Sequence, residues 1–290
     1  MANLQTLCRT LHHCSEQKVA TLNQLVAALD QVWFGFTKIF PNVSSKTSME
    51  FLTHYPSPAA FLSASQETVI RLIMANSKRG QAYAEKKYAS LKQSAHEAQI
   101  TGIQSQALFT CISVFVSSMK HTIEQMNRLN QEIEALSTHI PDIALLKSIP
   151  GLGENLAPLI AAEIGGIHRF KKAKQLVAYC GVDPSVRQSG NFTGTHNKVT
   201  KRGSPYLRRA LYIAATVAIR KAANGSMVNP VLYDYYQEKT KSKAKKQALG
   251  AVMNKLLRII FSVLKNQKPF VLITPEEQRA RFNKKLAFVA

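Results

Sequence analysis

Acid is what this chain has least of. Against 38 Lys and Arg there are 17 Asp and Glu, and only four are aspartates: Asp30, Asp142, Asp183 and Asp234. The formal net charge is +21 and the pI about 10.0. Such a balance says little about fold, but it predicts attraction to a polyanion, nucleic acid foremost. Cysteine is also sparse. Cys8, Cys14, Cys111 and Cys180 form no CxxC pair, so neither a zinc ribbon nor a disulfide framework is indicated, and a reducing cytoplasmic setting fits. Cys8, His12, His13 and Cys14 crowd together, but on a helix only Cys8 and His12 share a face, which falls short of four convergent metal ligands. No run of 18 apolar residues occurs, so no membrane span is expected. The N-terminal MANLQTLCRTLHH lacks the basic-then-apolar order of a signal peptide.

Hydrophobic residues make up 46% of the 290, enough for one large domain or two ordinary ones. Their spacing is helical, and the expected class is mainly α. From Leu4 to about Phe40 the apolar positions fit one long amphipathic helix or two in succession, ended by Pro41. Ser63-Ala64-Ser65-Gln66 has the form of a capping box, with Ser63 as the expected cap. From Leu108 to Ile140 the apolar residues step by 3 or 4, which gives a seam along one helix face. That seam suits a coiled-coil arm, either between two copies or against an earlier helix of the same chain. A compositional break follows Pro141: between Gly165 and Lys268 about twenty basic residues face three acidic ones. The expected regions are a helical linker and coiled coil over 1–141, a C-terminal domain over 142–270 and a tail over 271–290.

Two stretches carry candidate chemistry. Leu146–Phe170 reads as helix, Pro-Gly-Leu-Gly turn, helix. Gly151 and Gly153 allow a tight turn and a close approach to a phosphate, as in a helix-hairpin-helix, although Pro158 removes a donor from the second helix. A structural αα-hairpin is the plainer reading. The second stretch, Gly181–Arg209, is polar and basic between apolar segments. Arg187, Lys198, Lys201 and Arg202 are cations suited to phosphate, and Arg208 and Arg209 open the next helix, with Ser204 as its expected cap before Pro205. Ser189, beside Gly190, is either a turn former or a hydroxyl placed among cations to attack phosphorus. Tyr233, Tyr235 and Tyr236 lack the arginine and histidine cluster of a tyrosine nucleophile, so packing or base stacking is the commoner role.

IPGLGENLAPLIAAEIGGIHRF, LVAYCGVDP, RQSG, KRGSPYLRRAL and KLLRIIFSVL, in that order, resemble the C-terminal domain of transposases of the insertion sequence 110/116/902 type. The resemblance runs from about Leu145 to Phe270. It implies a recombinase that moves an insertion sequence under the direction of a bridge RNA, with DNA, guide RNA and further copies or the full-length transposase as partners. It also implies a serine nucleophile; Ser189 in RQSG matches it, with Ser185 as the second choice. The family carries a RuvC-like domain whose four acidic residues bind magnesium. The four scattered aspartates here do not match it, so no cofactor is expected in this chain, and Met1 is expected to fall after that domain. The alternative is a non-catalytic DNA- or RNA-binding remnant.

Overall fold

The computed structural model describes residues 1–183, 185, 199–273, 276–277 and 280, together with the backbone of 188–189 and 192–193. The described residues are mainly α-helical, as the spacing predicts. They fall into two compact units: Thr10–Asn130, and Met1–Arg9 with Gln131–Ala290. Helices α1 (Ala2–Val32) and α7 (Gln106–Ser137) each contribute to both.

The Thr10–Asn130 unit is built on α1, α2 (Phe36–Ile39), α3 (Lys46–His54), α4 (Pro58–Leu62), α5 (Gln66–Ser77), α6 (Gln81–Thr101) and α7. Its core is aromatic. Trp33, Phe36, Phe51 and Phe61 are fully buried, with ring centroids 5.4–5.9 Å apart in tilted pairs. The indole of Trp33 donates to Ser94 Oγ at 3.2 Å, so its one polar group is satisfied inside that core. The apolar pattern up to Phe40 is carried by two helices in succession, α1 to Val32 and α2 to Ile39, with Pro41 just beyond, as one of the two readings has it. Gly35 at φ 99° turns the chain between them, a conformation only glycine adopts freely. The seam of α7 is divided: Ile112 and Met119 are buried in this unit's core, Met126 and Leu129 are half-buried, and Leu136 is exposed. Intramolecular packing therefore accounts for its N-terminal half.

The expected capping box at Ser63 is displaced. Ser65, not Ser63, caps α5 by accepting from Thr68 N–H at 3.3 Å. Ser63 instead ends α4, its hydroxyl donating to the Ala60 carbonyl. Two serines flanking one residue offer two caps. The chain takes the second because Ser57 and Pro58 have already started a short helix that runs to Leu62.

In the second unit, α8 (Pro141–Lys147), a 3-10 turn (Ile167–Arg169), α10 (Ala173–Cys180), α11 (Pro205–Ala218) and α12 (Pro230–Thr240) gather around α13 (Lys245–Asn266), while α9 (Leu156–Ile164) packs on α8 and α11. By length and apolar content α13 resembles a membrane span. Its apolar positions Val252, Leu256, Leu257 and Ile260 are buried against α8, α10, α11 and α12, which makes it the central core helix of this unit. Between α10 and α11 the described backbone includes two short strands, β1 (Gln188–Ser189) and β2 (Phe192–Thr193), paired antiparallel with Ser189 opposite Phe192.

Candidate nucleic-acid site

The basic loop between α10 and α11 has a tightly built neck. Cys180 ends α10, and Gly181 follows at φ 63°, the left-handed conformation that closes a helix. The returning chain packs onto it. Lys201 N–H donates to the Gly181 carbonyl at 3.1 Å and Thr200 N–H to the Asp183 carbonyl at 3.0 Å. The Thr200 hydroxyl donates to Asp183 Oδ1 at 2.6 Å. A Cβ on Gly203 would lie 1.9 Å from the Tyr179 carbonyl oxygen, so only glycine allows the two strands of the neck to touch. Ser204 then caps α11, accepting from Leu207 N–H at 3.3 Å, and Pro205 takes the first helical position, as the sequence predicts.

Beneath the neck lies a buried acid. Glu163, on α9, is only 2% exposed. Its carboxylate accepts from Arg9 Nε at 2.7 Å and Arg9 Nη2 at 3.1 Å, and from the Ser204 hydroxyl at 2.7 Å. Burial pushes the Glu163 carboxyl up, but the hydrogen bonds from Arg9 and Ser204 outweigh it and hold its pKa below the usual carboxylate value. The Arg9 guanidinium also lies 4.9 Å from the Tyr206 ring centroid. One carboxylate thus ties the N-terminal segment of α1, the body of α9 and the first turn of α11 together. Nearby, burial and, second, the Glu163 charge push the Cys8 thiol up to about 12, and burial pushes Cys180 up to about 12, which leaves both as inert core thiols. Sequence reasoning missed Glu163 and Arg9. The signal was present: Glu163 is the one charged residue in the apolar run of α9.

The sequence-derived candidates divide on this frame. Lys201 and Arg202 are exposed at the neck, and their side chains make no hydrogen bond among the described residues; Lys201 holds φ 55°. Arg208 is engaged, its Nη1 donating to the Gly203 carbonyl and, at 3.5 Å, to the Cys180 carbonyl. Arg209 is exposed on α11. Arg187 and Lys198 lie outside the described residues, as does the side chain of Ser189, whose backbone sits in β1. Ser185 is half-buried.

At the α8–α9 turn, Gly151 holds φ 104°, and its close approach is to α11: a Cβ would meet the Ala218 Cβ at 3.0 Å and the Ala214 carbonyl at 3.2 Å. Gly153 has open space around it. Leu156 and Ala157 N–H both donate to the Gly153 carbonyl, and Pro158 has no N–H to give. Pro158 lies in the first turn of α9, where an N–H has no intrahelical acceptor, so it costs the helix nothing. The same facts leave this helix start few free donors for an anion. Tyr235 has two cations near its ring, Lys255 Nζ at 4.4 Å and Lys239 Nζ at 5.1 Å from the centroid. Among the described residues no group of three or more His, Cys, Asp or Glu converges. The Glu163 carboxylate is already engaged by Arg9 and Ser204.

An exposed pair of cations at the neck, within a strongly basic helical domain, suits contact with a polyanion. The comparisons narrow the class. Residues 143–237 match the model of the transposase IS116/IS110/IS902 family, a span that contains the whole loop, its neck and Glu163. The pilin gene-inverting protein of Moraxella bovis is 29% identical over 196 residues, covering 63% of this chain and 58% of that protein. The insertion element IS110 uncharacterized 43.6 kDa protein of Streptomyces coelicolor is 23% identical over 91% of this chain and 63% of its own length. The transposase for insertion sequence element IS1111A of Coxiella burnetii is 28% identical over 51% of this chain and 39% of its own length. The chain thus spans less than two thirds of the length of these relatives. Residues 143–237 are thus similar to the IS110/IS116/IS902 transposases, and the chain is similar over longer stretches to proteins of insertion elements and to a gene-inverting protein.

Proposed function

We propose that this chain is the strand-exchanging part of an insertion-sequence recombinase, with Ser189 as nucleophile and the Gly181–Arg209 loop as its DNA-phosphate site. The observation that carries this is the neck. A family match spans it, and Gly181, Thr200, Gly203 and Ser204 fix both ends of a loop rich in cations. A rigid base lets a loop hold a phosphate in one geometry, which positioned nucleophiles require. The relatives' names, a gene-inverting protein and a transposase, point to DNA rearrangement.

In this reading the Ser189 hydroxyl attacks a backbone phosphorus. The serine O–P bond forms, the P–O bond to the departing strand breaks, and that oxygen takes up a proton. Arg187, Lys198, Lys201 and Arg202 stabilise the charge on the phosphoryl oxygens. Gly153 contributes a phosphate contact from the open side of the α8–α9 turn, a helix-hairpin-helix role, while Gly151 serves packing. Magnesium belongs to the acidic RuvC-like domain of the family. A guide RNA selects the target, and Leu136, exposed on the C-terminal half of the α7 seam, helps to join copies of the protein.

Mixing the chain with a RuvC-like domain of the family, its guide RNA and cognate DNA should give a covalent protein–DNA adduct that is lost in Ser189→Ala. An adduct that survives the substitution overturns the assignment of Ser189. Tight, salt-sensitive DNA binding without any adduct favours the second reading, a non-catalytic nucleic-acid-binding protein, which the charge alone supports.

A further inference from the structure

The Thr10–Asn130 unit carries a cavity of about 360 Å3 of its own. Its walls come from the end of α2, the start of α3, the end of α5 and the start of α6. Three cations line it, Lys46, Arg79 and Lys87, and no carboxylate does among the described residues. Elsewhere in this unit two acids pair with cations, Glu50 with Lys120 and Glu67 with Arg71. Lys46, Arg79 and Lys87 have no such partner among the described residues.

Two aromatic rings stand among these cations. Lys87 Nζ is 5.4 Å from the Phe40 ring centroid and 5.7 Å from that of Tyr83, and Arg79 lies 5.9 Å from Tyr83. Lys87 also donates to the Ile39 carbonyl at the end of α2, so its ammonium is held in place. Burial is the main cause that lowers its pKa, as expected for a cation kept partly out of water without a counter-ion. Tyr83 is 37% exposed, so part of its side chain reaches solvent beside the two cations over its ring. The positive end of α3 reaches the same cavity. Ser45 caps it by accepting from Ser48 N–H, and Ser45, Lys46 and Thr47 lie on the wall.

Three cations with no carboxylate beside them among the described residues, a helix N-terminus and a partly exposed tyrosine suit a ligand with both a phosphate and a flat ring. The volume is at the lower end of small-ligand sites. We infer that this cavity binds one nucleotide unit of a single-stranded nucleic acid, with its phosphate between Lys46, Arg79 and the start of α3 and its base on Tyr83. The site shares no residue with the Gly181–Arg209 loop and stands whether or not Ser189 is a nucleophile.

The test uses the full chain and a short fluorescent single strand, in RNA and DNA forms. Tyr83→Ala should weaken binding about fivefold or more, the loss of one stacked base. Lys46→Ala with Arg79→Ala should lower the slope of log affinity against log salt by about 0.7, one released counter-ion of a single strand. Ultraviolet cross-linking should label the peptide that contains Tyr83, and should still do so in the Lys201→Ala, Arg202→Ala double variant. Circular dichroism confirms that these surface variants remain folded. Unchanged affinity and slope with no label on that peptide overturn the inference. Displacement of the strand from Tyr83 by micromolar adenosine monophosphate also overturns it, and assigns the cavity to a free nucleotide.

Discussion

Glu163 is the residue on which the second unit depends most. It is one of few acids in a basic chain, and it is inside rather than outside. A carboxylate taken from water costs several kcal/mol unless its lone pairs are met, and here Arg9 and Ser204 meet them. Removing Arg9 leaves the acid buried and uncompensated. Breaking a fully buried pair costs about 3–5 kcal/mol, but the Arg9 side chain is 40% exposed and water replaces part of what it gives, so about 2 kcal/mol is expected for Arg9→Ala. The pH dependence has a definite sign. Because the folded-state pKa of Glu163 is depressed, its contribution is complete above the ordinary value of 4.5 and is lost as pH falls through the folded value. Arg9 stays charged throughout. Urea midpoints measured from pH 7 downward should therefore fall for the native chain, and fall less for Glu163→Gln, the two curves converging in acid. Parallel curves would show that Glu163 is not the coupled group.

At the scale of elements, the neck between α10 and α11 decides whether the loop has a fixed shape. Gly203→Ala forces a methyl into the Tyr179 carbonyl and should destabilise by about 3 kcal/mol, the upper end for overpacking. Gly153→Ala meets nothing within 4 Å and should leave stability unchanged, so any loss of DNA binding in that variant belongs to the phosphate contact. Equal urea midpoints for Gly203→Ala and the native chain would mean that the neck is not tight in solution. These elements also show how far the sequence could be read. The start of α11 was legible because Ser204-Pro205 is a local signal, and caps are set by neighbours along the chain. The choice of Ser65 over Ser63 was not, because it turns on competition with an adjoining helix. Gly151 and Gly153 look alike in the sequence. Only packing shows that the first faces α11 and the second faces open space. Likewise, helical periodicity marks an apolar face without naming its partner, so neither the division of the α7 seam nor the grouping of Met1–Arg9 with the C-terminal unit could be read from it.

For the whole molecule the governing quantity is charge, and its arrangement matters more than its total. About twenty basic residues stand against three acidic ones between Gly165 and Lys268. The electrostatic attraction to a polyanion is strongest in this half, and any such binding releases counter-ions in proportion to the phosphates neutralised. Not every cation counts toward that number. Lys201 and Arg202 are exposed with no hydrogen bond among the described residues, so each is available to a phosphate. Arg208 is committed to the carbonyls of Gly203 and Cys180 and holds the neck instead. The two kinds separate by experiment. For duplex DNA, Lys201→Ala with Arg202→Ala should reduce the slope of log affinity against log salt by about 2, because each lost contact removes about 0.9. Arg208→Ala should leave that slope nearly unchanged and lower the urea midpoint, since its loss strands two backbone acceptors rather than a phosphate. Anisotropy titrations over a range of salt measure the first effect and denaturation the second. A slope reduced by Arg208→Ala and untouched by the Lys201, Arg202 pair would reverse the assignment, and would put the DNA on the first turn of α11 rather than on the neck.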